Sequence, residues 1–234
     1  TARDSDFDTV CGLRLGADDY FAKGLALHDS LRASDLISIA FGPHAPYTVS
    51  DAPLQKIAVL AQEMDMPVQI HLHETAFEVE ESLKQYGKRP TQRLMELGLL
   101  SPLTQCVHMT QITDVDIALL QQTGAHVVHC PESNMKLNSG NCPVQKLLDT
   151  GINVSLATDG AASNNRLDVL AEMRCAALLA KGASGDARAV GAHEALTKFE
   201  ANELIQHFPH AYGEISRRIV AGAPSMDCTE LRPC

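Results

Sequence analysis

Residues 68–75 read VQIHLHET and place two imidazoles and a carboxylate directly after an apolar run. If residues 68–72 form a strand, His71 and His73 lie on one face, because successive side chains alternate between the two faces of a sheet. His71 then has the fixed position that a metal ligand needs, and Glu74 falls just past the strand, where a proton carrier can act. A polar strand end without any chemistry is the alternative interpretation of these residues.

Apolar runs recur along the chain and alternate with segments that have a helical pattern. Each run ends in a polar or Gly/Pro-rich segment, which is typical of buried parallel strands that are joined by helices. The runs cover residues 36–41, 68–72, 105–109, 125–130 and 154–158. This rhythm predicts an α/β fold, either a (β/α)8 barrel or an open, doubly wound sheet.

Two of the intervening segments carry the start and stop signals of helices. The first helix is predicted to begin at Ser50 as its N-cap, with Pro53 in its first turn. Its apolar residues recur at helical spacing and share one face; they are Leu54, Ile57, Ala58 and Ala61. The second helix is predicted to start at Thr113, with Asp116 in a capping-box position, and to end at Gly124.

Polar residues follow the ends of nearly all of these apolar runs. They are His44, His71, His108, the pair Ser133 and Asn134, and Asp159. In a barrel, side chains at the carboxyl ends of several strands converge on one active site. An open sheet would gather them at one switch point beside a glycine-rich phosphate turn, and no G-x-G-x-x-G motif follows any of the runs. The pattern therefore favours the barrel.

Each of these residues also has a structural interpretation when it is taken singly. His108 could be a core histidine, Asp159 could form an ion pair, and His44 could stabilise a loop. A shared site explains better why separate strand ends each present a histidine or an aspartate. Such a set of ligands suits zinc or another divalent transition metal.

The composition excludes several classes of partner. The 234 residues carry a formal net charge of −10, and the sequence pI is near 5.4. No Lys/Arg cluster offsets this charge, which argues against a nucleic-acid or anionic-membrane partner. No apolar run approaches the roughly 20 residues that span a bilayer. Seven cysteines without a C-x-x-C pair predict neither a zinc knuckle nor a disulfide framework, so we expect a cytoplasmic protein.

Five motifs together resemble the amidohydrolase superfamily. They are FGPHAPYT, HLHET, VHMTQITD, HCPESNMKLNSG and TDGAASNN. More narrowly, they resemble its 5-methylthioadenosine/S-adenosylhomocysteine deaminase branch, which is close to the triazine and guanine aminohydrolases. The motifs occur in the family's order, and the resemblance runs from about residue 14 to about residue 195.

The resemblance implies a role for each polar residue at the strand ends. His71 matches a metal ligand of the family's fifth strand, and Glu74 matches the carboxylate that protonates a ring nitrogen of the substrate. His108 matches a catalytic histidine over the attacking water. Asp159 matches an aspartate that binds the metal and accepts the proton of that water. His44 matches a histidine that contacts the substrate, as Glu74 also does.

Two further segments receive no chemistry from the resemblance. Residues 133–137 match a loop that shapes the pocket. The HLH of residues 71–73 imitates the H-x-H metal pair of the family's first strand, but Glu74 follows it and it stands downstream of the FGPHAPYT motif, so it matches the fifth strand. We therefore expect His73 to be a neighbour of the pocket, not a ligand.

The implied function is that of a metal-dependent hydrolytic deaminase. Its substrate would be an adenine-type nucleoside, 5-methylthioadenosine or S-adenosylhomocysteine, and its metal would be zinc, with iron as the alternative. A triazine or guanine aminohydrolase is the alternative within the enzymes. A non-catalytic, truncated remnant of the family, which acts by associating with other chains, is the alternative outside them. The resemblance also implies a homo-oligomer.

The chain departs from the family's pattern near both of its ends. Residues 1–30 contain no H-x-H pair, so we expect a partial (β/α)8 TIM-type barrel of the metal-dependent hydrolase kind, without its first strands. Residues 1–197 are then the catalytic barrel portion. Residues 198–234 do not match the family and form a divergent C-terminal segment.

Overall fold

A computed structural model describes residues 18–34 and 37–195 of the chain. Within these residues the strands are β1 (Val68–Leu72), β2 (Thr104–His108), β3 (His126–His129) and β4 (Val154–Leu156). The helices are α1 (Asp18–Leu31), α2 (Asp51–Met64), α3 (Ala76–Tyr86), α4 (Pro90–Glu96), α5 (Asp114–Thr123), α6 (Pro131–Lys136), α7 (Val144–Asp149), α8 (Val169–Ser184) and α9 (Ala192–Glu194). The predicted domain boundary at residue 197 and the segment 198–234 lie outside the described residues.

The four strands form one sheet in which every neighbouring pair is parallel. Their order in the sheet is β1-β2-β3-β4, which is also their order in the chain. A doubly wound sheet reverses its strand order at the switch point, and this sheet shows no reversal. The described sheet is therefore an arc of the kind that a (β/α)8 barrel contains, with the carboxyl ends of all four strands at one edge.

The main hydrophobic core lies between the sheet and the helices. Ile70 of β1 and Cys106 of β2 are fully buried there. They belong to one cluster with Leu54 of α2, Leu120 of α5 and Ala176 of α8. Helices before, between and after the strands thus cover the same side of the sheet, as the helices of a barrel do. In the described ranges, no helix is long and apolar enough to cross a membrane.

The opposite face of the sheet is the barrel-interior side. It carries a small apolar cluster of Val107, Val128 and Cys130. Nearer the amino ends of the strands, the side-chain amide of Gln69 donates a hydrogen bond to Gln105 Oε1 at 3.3 Å. The functional side chains at the carboxyl ends of the strands meet on this face of the sheet.

The predicted strand at residues 36–41 is wrong for the part that the structure describes. Residues 37–40 are not in a strand, and Phe41 forms only an isolated parallel bridge to the start of β1. The Phe41 N–H donates to Pro67 O at 2.8 Å. Parallel pairing cannot extend beyond this bridge because Pro43, two residues further on, has no N–H to donate.

The other four predicted strands are present. β1 has the predicted bounds, and β2 and β3 differ from the prediction by one residue at each end. β4 ends at Leu156, two residues before the predicted end. Asp159 therefore lies in the loop after β4, not directly at the end of the strand.

Both predicted helices are present, α2 with its predicted start and α5 with both of its predicted limits. Ser50 occupies the N-cap position of α2, although its side chain makes no capping hydrogen bond, and all four predicted apolar residues are buried. In α5 the Asp116 carboxylate accepts the backbone N–H of Thr113 at 2.8 Å, which is the capping-box contact. Gly124 ends this helix with a φ of 72°, a left-handed conformation that suits glycine.

Candidate functional site

Three side chains that can bind a metal meet at the carboxyl edge of the sheet. His71 lies in β1, His108 is the last residue of β2, and Asp159 lies in the loop after β4. Each offers one ligand atom, and these atoms lie within 4.8 Å of one another. The structure thus brings together the two residues that were expected to bind the metal, His71 and Asp159, and it places His108 in the same cluster.

The backbone of the loop after Phe41 orients the His71 ring. His71 Nδ1 lies 2.7 Å from the carbonyl oxygen of His44, and a carbonyl oxygen can only accept, so Nδ1 carries the proton. Nε2 is then the nitrogen with the lone pair that a metal requires. The His44 ring lies 5.1 Å from the His71 ring, centroid to centroid. His44, the expected substrate contact, is therefore beside the cluster.

His108 is buried, and its two ring nitrogens have different surroundings. Nδ1 lies 2.8 Å from Asn134 Oδ1, whereas the buried Nε2 has no hydrogen-bond partner and lies 3.8 Å from Glu74 Oε2. Burial, helped by the nearby His71, lowers the pKa of His108 below its ordinary value, although Glu74 opposes this shift. The ring is stacked on that of His71 at a centroid distance of 5.3 Å.

The Asp159 carboxylate is held by hydrogen bonds at both oxygens. Oδ2 accepts the hydroxyls of Ser133 at 2.6 Å and Ser163 at 2.7 Å, and Oδ1 accepts the Gly160 N–H at 2.7 Å. Burial raises the pKa of Asp159, but these hydrogen bonds and His108 outweigh it, and the net pKa lies below the usual value. Asp159 is therefore an anion at neutral pH, as a metal ligand must be.

Glu74 is positioned by backbone contacts on both sides. Its N–H donates to Glu78 Oε2 at 2.8 Å, and its carbonyl oxygen accepts the Thr110 hydroxyl at 2.7 Å. The same Glu78 carboxylate also accepts the His73 N–H at 2.9 Å. The Glu74 side chain remains partly exposed, with 20% of its surface accessible, so it can meet both His108 and a substrate.

Left-handed backbone conformations concentrate at the carboxyl ends of the strands. The φ angles are 52° at His73, 79° at His108, 49° at Met109 and 59° at Asp159. Such angles are costly for residues other than glycine and cluster at functional sites, where the surrounding structure enforces them. The turns that follow β1, β2 and β4 are therefore constrained at the positions that carry the cluster.

His73 does not lie on the face of His71, contrary to the expectation from strand alternation. The positive φ at this residue ends the regular alternation. The side chain is fully buried, with Nε2 in contact with the Thr91 hydroxyl and 3.5 Å from Asp116 Oδ1. Burial lowers the pKa of His73 to about 4. His73 thus anchors the loop after β1 to α4 and α5.

Three buried residues beside the cluster had no predicted role in the chemistry. They are His129, Ser133 and Asn134. Residues 133–137 were expected to form a loop, but residues through Lys136 belong to α6, and its Ser133 and Asn134 contact Asp159 and His108. His129, the last residue of β3, is buried with no hydrogen-bond partner at either ring nitrogen. Burial and the nearby His108 lower the pKa of His129 to about 3. The one sequence signal for Ser133 and Asn134 is their place after an apolar run, and His129 lies within that run.

The cluster fits a divalent transition metal. Two imidazoles and one carboxylate are a donor set that zinc and similar ions accept. The unpartnered Nε2 of His108 supports this assignment, because buried polar atoms rarely lack a partner. The lone pair on His71 Nε2 and the anionic Asp159 supply the other two donors.

The fold and the cluster together define the class of the chain, which is an α/β barrel protein with a His, His, Asp cluster at its strand ends that could hold a metal ion. The model of the amidohydrolase family matches residues 21–201, and this chain belongs to that family.

Relatives that share more than half of the aligned residues with this chain are deaminases. A 5-methylthioadenosine/S-adenosylhomocysteine deaminase of Teredinibacter turnerae is 58% identical over 185 residues, which make up 79% of this chain and 42% of the relative. A deaminase of the same name from Saccharophagus degradans is 58% identical over 191 residues, or 82% of this chain and 42% of the relative. Among solved structures, an adenosine deaminase from Xanthomonas campestris with bound zinc is 51% identical, with a TM-score of 0.76 over 77% of this chain and 41% of that one.

The chain thus spans less than half of the length of these relatives. The described sheet of four parallel strands is a partial barrel of the metal-dependent hydrolase kind, as the sequence predicted. The predicted membership of the amidohydrolase family is confirmed.

Proposed function

We propose that the chain carries catalytic residues of a metal-dependent hydrolytic deaminase. The substrate is an adenine-type nucleoside, 5-methylthioadenosine or S-adenosylhomocysteine, from which ammonia is released. The observation that carries this proposal is the convergence of His71, His108 and Asp159 within 4.8 Å, with Glu74 beside them. The names of relatives at 58% identity support the substrate class.

His71 and Asp159 are the proposed metal ligands, and both are prepared for this role. The His44 carbonyl fixes the His71 proton on Nδ1 and leaves Nε2 free to bind. Three hydrogen bonds hold the Asp159 carboxylate in its anionic form. Zinc is the proposed ion and iron is the alternative. A divalent cation at this site would lower the pKa of a water molecule toward about 7 and so supply a nucleophile at neutral pH.

Glu74 and Asp159 are the proposed carriers of protons. Asp159 accepts a proton from the attacking water, and Glu74 delivers one to a ring nitrogen of the substrate, which makes the amine-bearing carbon electrophilic. His108 Nε2, 3.8 Å from Glu74 Oε2, exchanges a proton with the carboxylate or the water. The proton that Asp159 took from the water passes to the amino group, which leaves as ammonia, and the proton of the added hydroxyl returns to Glu74. Acid–base assistance of this kind contributes about 10² to 10⁴-fold to a rate.

The surroundings of His44 support its proposed contact with the substrate. Its ring lies against His71 and at 6.0 Å from the ring of Tyr47, whose side chain is exposed. A nucleoside base at the cluster would meet this loop. The homo-oligomer and the cytoplasmic location remain predictions.

The variant Glu74→Gln tests the proposal. We expect the purified chain, loaded with zinc, to release ammonia from 5-methylthioadenosine, and we expect Glu74→Gln to lose at least about 100-fold in rate while its zinc content stays the same. Glu80→Gln, which changes an exposed glutamate of α3, is the matched control and should retain the wild-type rate. Zinc content measured by elemental analysis accompanies each assay.

Three results would contradict the proposal in different ways. Loss of zinc from Glu74→Gln would show that Glu74 is a ligand. Faster release of ammonia from guanine or from an aminotriazine than from 5-methylthioadenosine would favour the alternative aminohydrolases. A wild-type chain that binds no zinc and is inert toward all three substrates would indicate a non-catalytic member of the family.

A further inference from the structure

Asn134 is buried beside the cluster and contacts one of its members. Its side chain is 2% exposed, and Oδ1 lies 2.8 Å from Nδ1 of the fully buried His108. Its backbone is fixed as well, because its N–H donates to Cys130 O and its carbonyl accepts the Ser139 N–H, each at 2.9 Å. The amide therefore faces His108 from a rigid position on α6.

The chemistry of an amide oxygen determines where the His108 proton lies. Asn134 Oδ1 has lone pairs only, so the hydrogen bond requires a proton on His108 Nδ1. In a neutral imidazole the other nitrogen, Nε2, then carries the lone pair. This is the atom that faces Glu74 at 3.8 Å, and His108 belongs to the cluster that could hold a metal ion. With the opposite tautomer, Nε2–H could neither bind a cation nor accept a proton.

Ser133, the residue before Asn134, contacts a different member of the cluster. The Ser133 hydroxyl donates to Asp159 Oδ2 at 2.6 Å, and the Ser133 side chain is fully buried. Two consecutive residues of α6 therefore hold one proton carrier from β2 and one carboxylate from the loop after β4. This arrangement indicates that the segment positions the site, beyond its share in packing.

We propose that Asn134 is a positioning residue that fixes His108 as the Nδ1–H tautomer and so presents the Nε2 lone pair to the site. Its meaning for catalysis rests on the proposed function, but the tautomer is a property of the resting chain. A measurement without metal or substrate therefore tests it separately from the deaminase proposal.

The tautomer can be measured by NMR on the full chain labelled with ¹⁵N-histidine. After treatment with a chelator, at about pH 8, a histidine is neutral, and long-range ¹H–¹⁵N correlations distinguish a protonated ring nitrogen from an unprotonated one. The His108 signals are assigned by their loss in His108→Gln. We expect the wild-type chain to show Nδ1 protonated and Nε2 unprotonated.

Two substitutions at this position separate tautomer control from packing. In Asn134→Ala the acceptor is lost, and we expect the two nitrogen signals of His108 to exchange their ranges or to average. In Asn134→Asp the carboxylate still accepts, and we expect the wild-type pattern to be retained. Asn141→Ala, which removes an exposed amide, is the control and should leave the His108 signals unchanged.

The proposal is overturned if wild-type His108 carries its proton on Nε2, as it would if the Asn134 amide donated to Nδ1. It is also overturned if folded Asn134→Ala keeps the Nδ1–H pattern. Circular dichroism establishes whether that variant is folded. If it is not, the wild-type spectrum and that of Asn134→Asp still decide the matter. Loss of deaminase activity with an unchanged tautomer would leave the proposed function standing and refute this role.

Discussion

Burial sets the charge of several residues near the strand ends. It lowers the pKa of His73 to about 4 and that of His129 to about 3, so both rings are neutral at pH 7. It raises the pKa of Glu78 to about 7, against the two backbone N–H groups that this carboxylate accepts. The position of Glu74 thus depends on a carboxylate that is half protonated near neutral pH.

Glu78 gives a pH dependence whose sign follows from its shift. The folded pKa, about 7, exceeds the ordinary value of 4.5, so the folded state disfavours the ionised carboxylate. The contribution of Glu78 to the free energy of unfolding is fully present below about pH 4.5 and is lost as the pH rises to about 7. The total loss is about 3 kcal/mol. We expect Glu78→Gln to gain that much free energy of unfolding relative to the wild type over this range.

Denaturant titrations of the metal-free chain at several pH values check this prediction. The variant Glu80→Gln, in which the replaced side chain is exposed, is the control and should follow the wild type at every pH. A difference between Glu78→Gln and the wild type that stays constant from pH 4.5 to pH 7 would show that Glu78 is ionised in the folded chain throughout.

At the scale of elements, helix ends are determined by single residues. Gly124 ends α5 with a φ of 72°, and a Cβ there would lie 3.2 Å from Pro102 Cγ. Gly182 lies inside α8, where a Cβ would meet nothing within 4 Å. A side chain added at Gly124 is therefore expected to be unfavourable, whereas one added at Gly182 is not.

The substitution of each glycine by alanine tests this difference. We expect Gly124→Ala to destabilise the chain by about 1 kcal/mol, because a left-handed residue gains a side chain. We expect Gly182→Ala to stabilise it by about 0.5 to 1 kcal/mol, because alanine favours the helix. Urea denaturation measures both, and each variant is the control of the other. If the two substitutions changed the free energy of unfolding in the same direction, the turn at the end of α5 would have adjusted to accept a side chain.

At the scale of the molecule, the proposed metal site joins parts of the chain that are far apart in sequence. His71, His108 and Asp159 come from β1, β2 and the loop after β4. An ion that is held by residues from separate strands binds the folded chain only, so its affinity adds to stability. The site therefore links the first and last strands of the described sheet.

Zinc is expected to raise the thermal midpoint of the chain. At a free concentration 100 times the dissociation constant, the gain is about 2.7 kcal/mol. A chelator should reverse this effect. His71→Ala should abolish it, whereas His193→Ala, which changes an exposed histidine of α9, should not. Magnesium, which prefers oxygen ligands, should have no effect. A zinc-induced shift of equal size in His71→Ala would place the ion elsewhere.

Local patterns in the sequence predicted the four described strands and two of the nine described helices. The apolar runs gave four of the strands, and the caps at Thr113 and Gly124 gave the limits of α5, because these signals act between residues close in the chain. The strand prediction for residues 36–41 was wrong. Phe41 pairs with Pro67, but Pro43 has no N–H with which to continue the parallel pairing. Strand alternation also misplaced His73, since the positive φ that turns it away arises from contacts with other elements.

The sequence by itself determined the fold class, the family and the residues that meet at the site. It could do so because polar residues after successive apolar runs must lie at one edge of a parallel sheet. Only the tertiary structure decided what holds them. The contacts of Asn134 with His108 and of Ser133 with Asp159 depend on the relative positions of separate helices and strands, and no pattern of neighbouring residues encodes those positions.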